Sequence, residues 1–356
     1  MKRPTIRDVA AHAGVSHQTV SRVINGNGLV ATETRQRVLQ AIQELDYVPS
    51  ALARGLSSDR THTLGMVGVD VSDYFFAQAV AGAEAEARKH GLFLVIGSIE
   101  AAADGDERGY LRLMLERRVD GLVLARPFFG PDMGPLLASL AERLPLVVIA
   151  ARLHVPGVDT VEVDNRQGGL DATTFLIEQG HRVIATITGP LAWPHARDRL
   201  ASYRVALRRA GLRADPALVE RCKDWGPESG QAAAARLLQA ESSFTAIFAQ
   251  SDLLALGAIT ELRARGLRVP EDVSVMGYDD IPVASFVDPP LTTIRQPMRQ
   301  VGAKAVEILL DKIAAVRSHA SSRQRRHLLR AELVVRQSVA PPGWAHSGGR
   351  GASAHQ

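Results

Sequence analysis

Four side chains in the stretch "SHQTVSRVIN" are of the types that read nucleic-acid bases: His17, Gln18, Ser21 and Arg22. In a major groove, arginine pairs with guanine and glutamine with adenine through two hydrogen bonds each, while serine and histidine reach bases or phosphates. His17 and Ser21 are four residues apart, as are Gln18 and Arg22, so on a helix all four share one stripe. A polar outer stripe alone is ordinary on a surface helix. The elements that carry it decide whether it reads anything.

Apolar residues recur at Ile6, Val9 and Ala10 and again at Val20, Val23 and Ile24, helical spacing on both sides of Gly14. The glycine therefore joins two helices, and Ser16 is placed to cap the second by accepting from the Thr19 N–H. Two short helices around such a turn make a helix-turn-helix, whose second helix is the one that enters a DNA groove. Thr32 is expected to cap a third helix, "ETRQRVLQAIQELD", whose Val38, Leu39, Ile42 and Leu45 would close a small core before Pro49.

The run "TIRDVAAHAGVSHQTVSRVINGN", followed by "ETRQRVLQAIQELDYVPSALARGL", resembles the DNA-binding headpiece of the lactose/galactose repressor family (LacI/GalR) of bacterial transcription regulators. The resemblance implies that His17, Gln18 and Arg22 read bases and that Thr19 and Ser21 anchor phosphates or position the helix. It adds Thr5, Ser16 and Asn25 to the DNA-binding set. It further implies that "SALARGLSS", from Ser50, forms a hinge helix only on DNA, with Ala53 among its contacts and Leu56 wedged between bases in the minor groove. Local physics agrees: nine residues with Gly55 inside cannot hold a helix alone.

Composition bounds less. A chain of 356 residues, 46% hydrophobic and 22% charged, is long enough for two or three soluble domains. A net charge of +4 permits nucleic-acid binding without requiring it; through Arg60 there are eight Lys and Arg against five Asp and Glu. Cys222 stands alone, which excludes an internal disulfide and points to a structural thiol. No apolar run reaches the roughly 18 residues of a membrane span, and "MKRPTIRDVA" opens without an apolar signal segment, so the expected location is cytoplasmic.

From Thr61 the texture changes to short, nearly continuous apolar runs alternating with helical stretches, the pattern of parallel strands covered on both faces. "TLGMVGVDV", "LFLVIGSI", "GLVLAR" and "PLVVIA" form one such series, and the pattern restarts with "RVIATITG", "TAIFAQ" and "VSVMGYDD". The expected fold is α/β: a helix-turn-helix headpiece followed by a two-lobed, doubly wound parallel-sheet effector domain, with ligand at the carboxyl ends of the strands. The expected boundaries are 1–48 for the headpiece, 49–60 for the hinge, 61–340 for effector binding and dimerisation, and 341–356 for a disordered tail. The basic run "RSHASSRQRRH" is expected to be a solvated loop between the last helix and a "LLRAELVVRQ" strand.

This second segment resembles the same family's effector domain, built like a periplasmic sugar-binding protein, most specifically in "GPLAWPHARDRL", "SDLLALGA", "VSVMGYDD" and "DPPLTTIRQP". In all, the resemblance runs from about Thr5 to Ser338. It implies a cleft in which Arg199 and Asp279 form the polar clamp, Phe75 and Trp225 the apolar walls, and Ser251 a hydroxyl contact, with Trp193 and His195 narrowing specificity. A sugar suits such a site: a carboxylate accepts hydroxyl protons, a guanidinium donates a planar fork, and aromatic faces pack on a pyranose. Ala150 stands where sugar-responsive relatives often carry an acid or its amide, a role left to Arg152 or His154. The expected effector is a mono- or disaccharide that releases the protein from DNA; the alternative is a purine- or phosphosugar-responsive corepressor system.

The expected partners are a roughly palindromic operator and a second copy of the chain, because the tail "APPGWAHSGGRGASAHQ" offers no leucine heptad for a larger assembly. No cofactor, metal or catalytic activity is expected. The chain lacks a G-x-G-x-x-G after its first strand, a phosphate-binding P-loop, an H-E-x-x-H and a G-x-S-x-G elbow. A sugar-transport protein of the same two-lobed shape is disfavoured by the headpiece and by the missing export signal.

Overall fold

The computed structural model describes residues 4–25, 29–48, 60–68, 70–98, 106–126, 133–149, 155–239, 243–318 and 324–343. The chain divides into two compact units, residues 1–63 with 115–120, and residues 64–114 with 121–356.

In the first unit, helices α1 (Ile6–Ala13), α2 (His17–Asn25) and α3 (Thr32–Glu44) enclose Val9, Ala10, Ala13, Val20, Val23, Val38 and Ala41. The α1–α2 joint turns at Gly14, whose φ of 64° is the left-handed conformation that only glycine adopts without cost. Two expectations are corrected here. Leu39 is 52% exposed, because Val38, Ala41 and the half-buried Ile42 and Leu45 take the inner face and leave Leu39 about 100° round the helix. Thr32 is the first helical residue rather than the cap; Ala31 holds the cap position and makes no side-chain bond there.

The second unit contains a six-stranded sheet in the order β11-β5-β4-β3-β1-β2, a four-stranded sheet in the order β7-β6-β8-β9, and a two-stranded ribbon of β10 and β12. The first sheet is built from β1 (Thr63–Gly68), β2 (Phe93–Ser98), β3 (Gly121–Ala125), β4 (Leu146–Ile149), β5 (Asp159–Val163) and β11 (Arg326–Leu329), with α4 (Tyr74–Lys89), α5 (Asp106–Glu116) and α6 (Met133–Ala141) between its strands. The second is built from β6 (Ile184–Thr188), β7 (Val219–Arg221), β8 (Ala246–Ala249) and β9 (Ser274–Met276), with α7 (Asn165–Glu178), α8 (Pro194–Arg209), α9 (Pro227–Gln239) and α10 (Asp252–Ala264). Fully buried strands such as β3, β4 and β6 explain why their sequences read as unbroken apolar runs. The α/β fold with a helix-turn-helix at its front is the fold expected from the sequence.

The chain passes between the two lobes three times. It leaves the first after β5, returns through β10 (Thr293–Arg295) into the long helix α11 (Met298–Arg317), and crosses again between β11 and β12 (Glu332–Val334). Helix α11 packs Val301, Ala305, Val306 and Leu309 into the first lobe's core. These crossings correct another expectation: "LLRAELVVRQ" is not one strand. Its first residues extend β11, parallel to β5, and after Arg330 and Ala331 the chain pairs with β10 in antiparallel register. The basic run ends inside that strand, where Arg326 is bonded to Glu162 at 2.7 and 2.9 Å, so it is not wholly a loop. The short strands β5 and β7 were not legible in the sequence at all. Among the described residues no helix is long and apolar enough to cross a membrane.

Candidate functional site

The α2 helix begins where Ser16 Oγ accepts the Thr19 N–H at 3.2 Å and lies 2.9 Å from the Thr19 hydroxyl. Sinking Val20 and Val23 into the small core turns His17, Gln18 and Arg22 outward, where all three are exposed; Ser21 and Thr19 are half-buried. The expected stripe is therefore present with a narrower fully exposed part. Thr19 is tied to Ser16, which is the geometry of a helix-positioning group. Thr5 is likewise bound locally: its N–H and its hydroxyl both donate to the Asp8 carboxylate at 2.7 Å, and its oxygen takes the Asp8 N–H, a reciprocal box that fixes the start of α1. Asn25 closes α2 with its side chain outside the described residues, and Ala53 and Leu56 lie outside them altogether.

In the second unit, a cavity of about 870 Å³ opens where the carboxyl ends of both sheets face each other. All seven side chains expected to bind effector line it: Phe75 on α4, Trp193, His195 and Arg199 on the β6–α8 segment, Trp225 after β7, Ser251 after β8, and Asp279 after β9. Each follows a strand end, so the topology and not the sequence separation gathers them. Ala150, Arg152 and His154 lie outside the described residues.

Arg199 is 2% exposed and Asp279 8%. A buried guanidinium is tolerable only when its donors are satisfied. Arg199 Nε donates to Asn165 Oδ1 at 2.8 Å, Nη1 donates to the Gln250 carbonyl at 2.6 Å, and its plane lies 3.6 Å from the Tyr278 ring centroid. A desolvated cation over an aromatic face is stabilised by about 2 kcal/mol. Asp279 Oδ1 sits 3.8 Å from Arg199 Nη1, an ion pair too long for a hydrogen bond, and accepts instead from Gln296 Nε2 at 2.6 Å. Burial pushes the Asp279 carboxyl well above its ordinary range, with Arg199 opposing and Asp252 adding to the rise.

Three aromatic rings flank this clamp. His195 stacks on Trp225 at 5.3 Å between centroids, and Trp193 meets both edge-on at 5.2 and 5.9 Å. Burial, then Arg199 and Arg197, hold the His195 imidazole well below its ordinary pKa, so it is neutral near pH 7. Trp225 Nε1 is buried with no hydrogen-bond partner among the described residues. Ser251 has a second duty: its Oγ caps α10 by accepting the Leu254 N–H at 3.1 Å, leaving the hydroxyl proton to donate elsewhere.

Several residues that shape the site were not singled out from the sequence. Asn165 follows β5, a strand the sequence did not reveal, whereas Tyr278 and Asp252 were inside the motifs "VSVMGYDD" and "SDLLALGA" and could have been found as aromatic and acidic neighbours of the clamp. Gln296 and Arg126 also line the cavity, as do Asp70, Ser72, Asp73 and Glu162. Cys222 is buried beneath this lobe's edge, where desolvation pushes its thiol up to about 11, consistent with a structural role. Among the described residues no group of three or more His, Cys, Asp or Glu is placed to hold a metal ion.

Comparison with known proteins supports both regions. Residues 5–50 match the family model described as bacterial regulatory proteins, lacI family, and residues 173–339 match a periplasmic binding protein-like domain. The HTH-type transcriptional repressor PurR of Aliivibrio salmonicida (strain LFI1238) is 38% identical over 337 residues, covering 94% of this chain and 98% of that relative. Among solved structures, the Lac repressor dimer bound to operator and the anti-inducer ONPF superposes with a TM-score of 0.83 at 30% identity, over 95% of this chain and 100% of the other. A complex of the transcriptional regulator CelR with cellobiose gives 0.69 at 38% identity, over 94% and 100%.

Proposed function

This chain belongs to the LacI family of bacterial regulatory proteins, and from that premise we propose a repressor whose hold on a roughly palindromic operator is set by a sugar in the effector cleft. It is a DNA-binding transcriptional regulator that responds to a small molecule. The observation that carries the ligand half is the convergence of a buried cation, a buried carboxylate and three aromatic rings on one cavity of about 870 Å³. That volume accommodates a mono- or disaccharide. Asp279 accepts hydroxyl protons, Arg199 and Trp225 Nε1 donate, and Phe75 and the Trp193–His195–Trp225 cluster cover the apolar faces of the ring. One solved relative is a complex with the disaccharide cellobiose, and this supports the same ligand class here.

The DNA half rests on His17, Gln18 and Arg22, which leave an exposed helix face free to enter a major groove. A homodimer presents two such helices to equivalent half-sites, and the segment 50–58 acts as the minor-groove hinge with Leu56 as its wedge. Sugar binding releases the protein by favouring the state that holds DNA less tightly. A thermal-shift screen of sugars, nucleobases and phosphosugars, followed by operator binding with each hit, tests the assignment. Stabilisation by sugars with loss of operator affinity is the expected result. Stabilisation by purines or phosphosugars alone overturns the sugar and leaves the regulator standing.

A further inference from the structure

We infer that Asp252 is the positioning residue of the effector cleft, holding the turn that carries Asp279 so that its carboxylate faces the ligand. The inference rests on the cleft reading above. Asp279 and Asp280 have φ of 128° and 57°, two successive non-glycine residues in conformations that persist only where their surroundings force them. Such a turn does not aim a side chain by itself. Something must hold it.

The holder is the first residue of α10. Asp252 is fully buried, its Oδ2 accepts the Ile281 N–H at 2.8 Å, and its Oδ1 accepts the Thr293 hydroxyl at 2.5 Å. The Asp280 N–H also reaches this carboxyl, and the Asp252 N–H in return reaches the Asp279 carboxyl. Gly277 allows the approach, since a Cβ there would stand 2.3 Å from Asp252 Oδ1. On the far side of the turn, Asp280 is gripped at 2.6 Å by Arg295 and at 2.6 Å by Arg336, beside the ribbon strands that run between the lobes. Asp252 does not itself line the cavity, whereas Ser251, Asp279, Ile281 and Pro282 do. It therefore acts through the turn and not on the ligand.

The test is hydrogen exchange on the full-length, ligand-free protein, read on peptides spanning residues 277–283, for wild type, Asp252→Ala and Asp252→Asn. Alanine removes every acceptor and should speed exchange at Asp280 and Ile281 by at least about tenfold, while peptides from β6 and α8 stay unchanged. Asparagine keeps one oxygen for the Ile281 N–H and can donate to Thr293, so it should stay close to wild type. Tryptophan-fluorescence titrations with cellobiose, guanine and glucose 6-phosphate supply the functional readout: any of the three that binds wild type should weaken at least about tenfold with alanine and recover with asparagine. Equal exchange in wild type and Asp252→Ala, or an asparagine variant as loose as the alanine, overturns the assignment. If Asp252→Ala does not fold, Thr293→Val, which removes one of the bonds, should loosen the same peptide alone; no loosening overturns it equally. Should none of the three probes bind wild type, the sugar reading suffers while the exchange result still decides Asp252.

Discussion

The reading helix and the ligand cleft solve opposite problems. On α2, His17, Gln18 and Arg22, the residues proposed to read bases, are exposed and contribute little to holding their small unit together, which rests on Val9, Val20, Val23 and Val38. In the cleft, Arg199 and Asp279 are nearly inaccessible and are tied into the lobe through Asn165, Gln250 and Gln296. Exposed chemistry can be exchanged cheaply to change what is read. Buried chemistry is part of the fold, and changing it alters both ligand and lobe.

The largest effect should come from the buried pair. Arg199→Ala strands the Asp279 carboxyl and should abolish the response to ligand while operator binding persists, since removing half of a buried charged contact costs about 2–5 kcal/mol. Asp279→Asn keeps the shape and the bond to Gln296, and should lose ligand affinity with less damage to thermal stability. Isothermal titration with the ligand found by screening, beside thermal unfolding, separates the two. Next in size is Arg22→Ala: about 1–3 kcal/mol of operator affinity, with relaxed preference at one base position and no change in ligand binding. A His17/Gln18 double substitution should redirect the bases recovered by operator selection. Unchanged bases would remove these residues from the reading set.

These contrasts also explain what the sequence revealed. The α2 stripe was legible because helical period alone turns Val20 and Val23 inward and the polar residues outward. The cleft residues lie on segments far apart in the chain, and no period joins Phe75 to Asp279; family resemblance named them, and strand order brings them together. The errors have similar causes. Leu39 fits the three- and four-residue spacing of the core positions, yet the smaller Ala41 fills the inward position. The "LLRAELVVRQ" segment looked continuous because its residue types are uniform, while its two halves pair with different sheets. Strand β5 was missed because "DTVEV" carries two acids, each neutralised in place: Asp159 by Lys312 at 2.6 Å and Glu162 by Arg326.

Smaller effects sharpen the comparison. Ser16→Ala should cost the headpiece about 1 kcal/mol through loss of the cap and weaken operator binding only as far as the helix frays. In the cleft unit, burial raises the Asp252 carboxyl to about 7, so the folded state keeps this proton at pH values where the unfolded chain, near 3.8, has released it. Its favourable contribution is complete below the unfolded value and is lost as pH rises through about 7. Wild type should therefore lose thermal stability relative to Asp252→Asn over that range, read as the difference between their melting temperatures. A constant difference would place the Asp252 proton elsewhere.

The central claim is that a ligand in the cleft governs DNA binding through contacts the reading helix does not share. The direct measurement is operator affinity, with and without the strongest stabilising sugar, for wild type and Arg199→Ala at one fixed salt concentration. Sugar should weaken wild-type binding at least about tenfold, the size of an ordinary allosteric coupling, while Arg199→Ala binds the operator as wild type does and ignores the sugar. An Arg199→Ala protein that still responds, or a wild type whose operator affinity no cleft ligand alters, would contradict it.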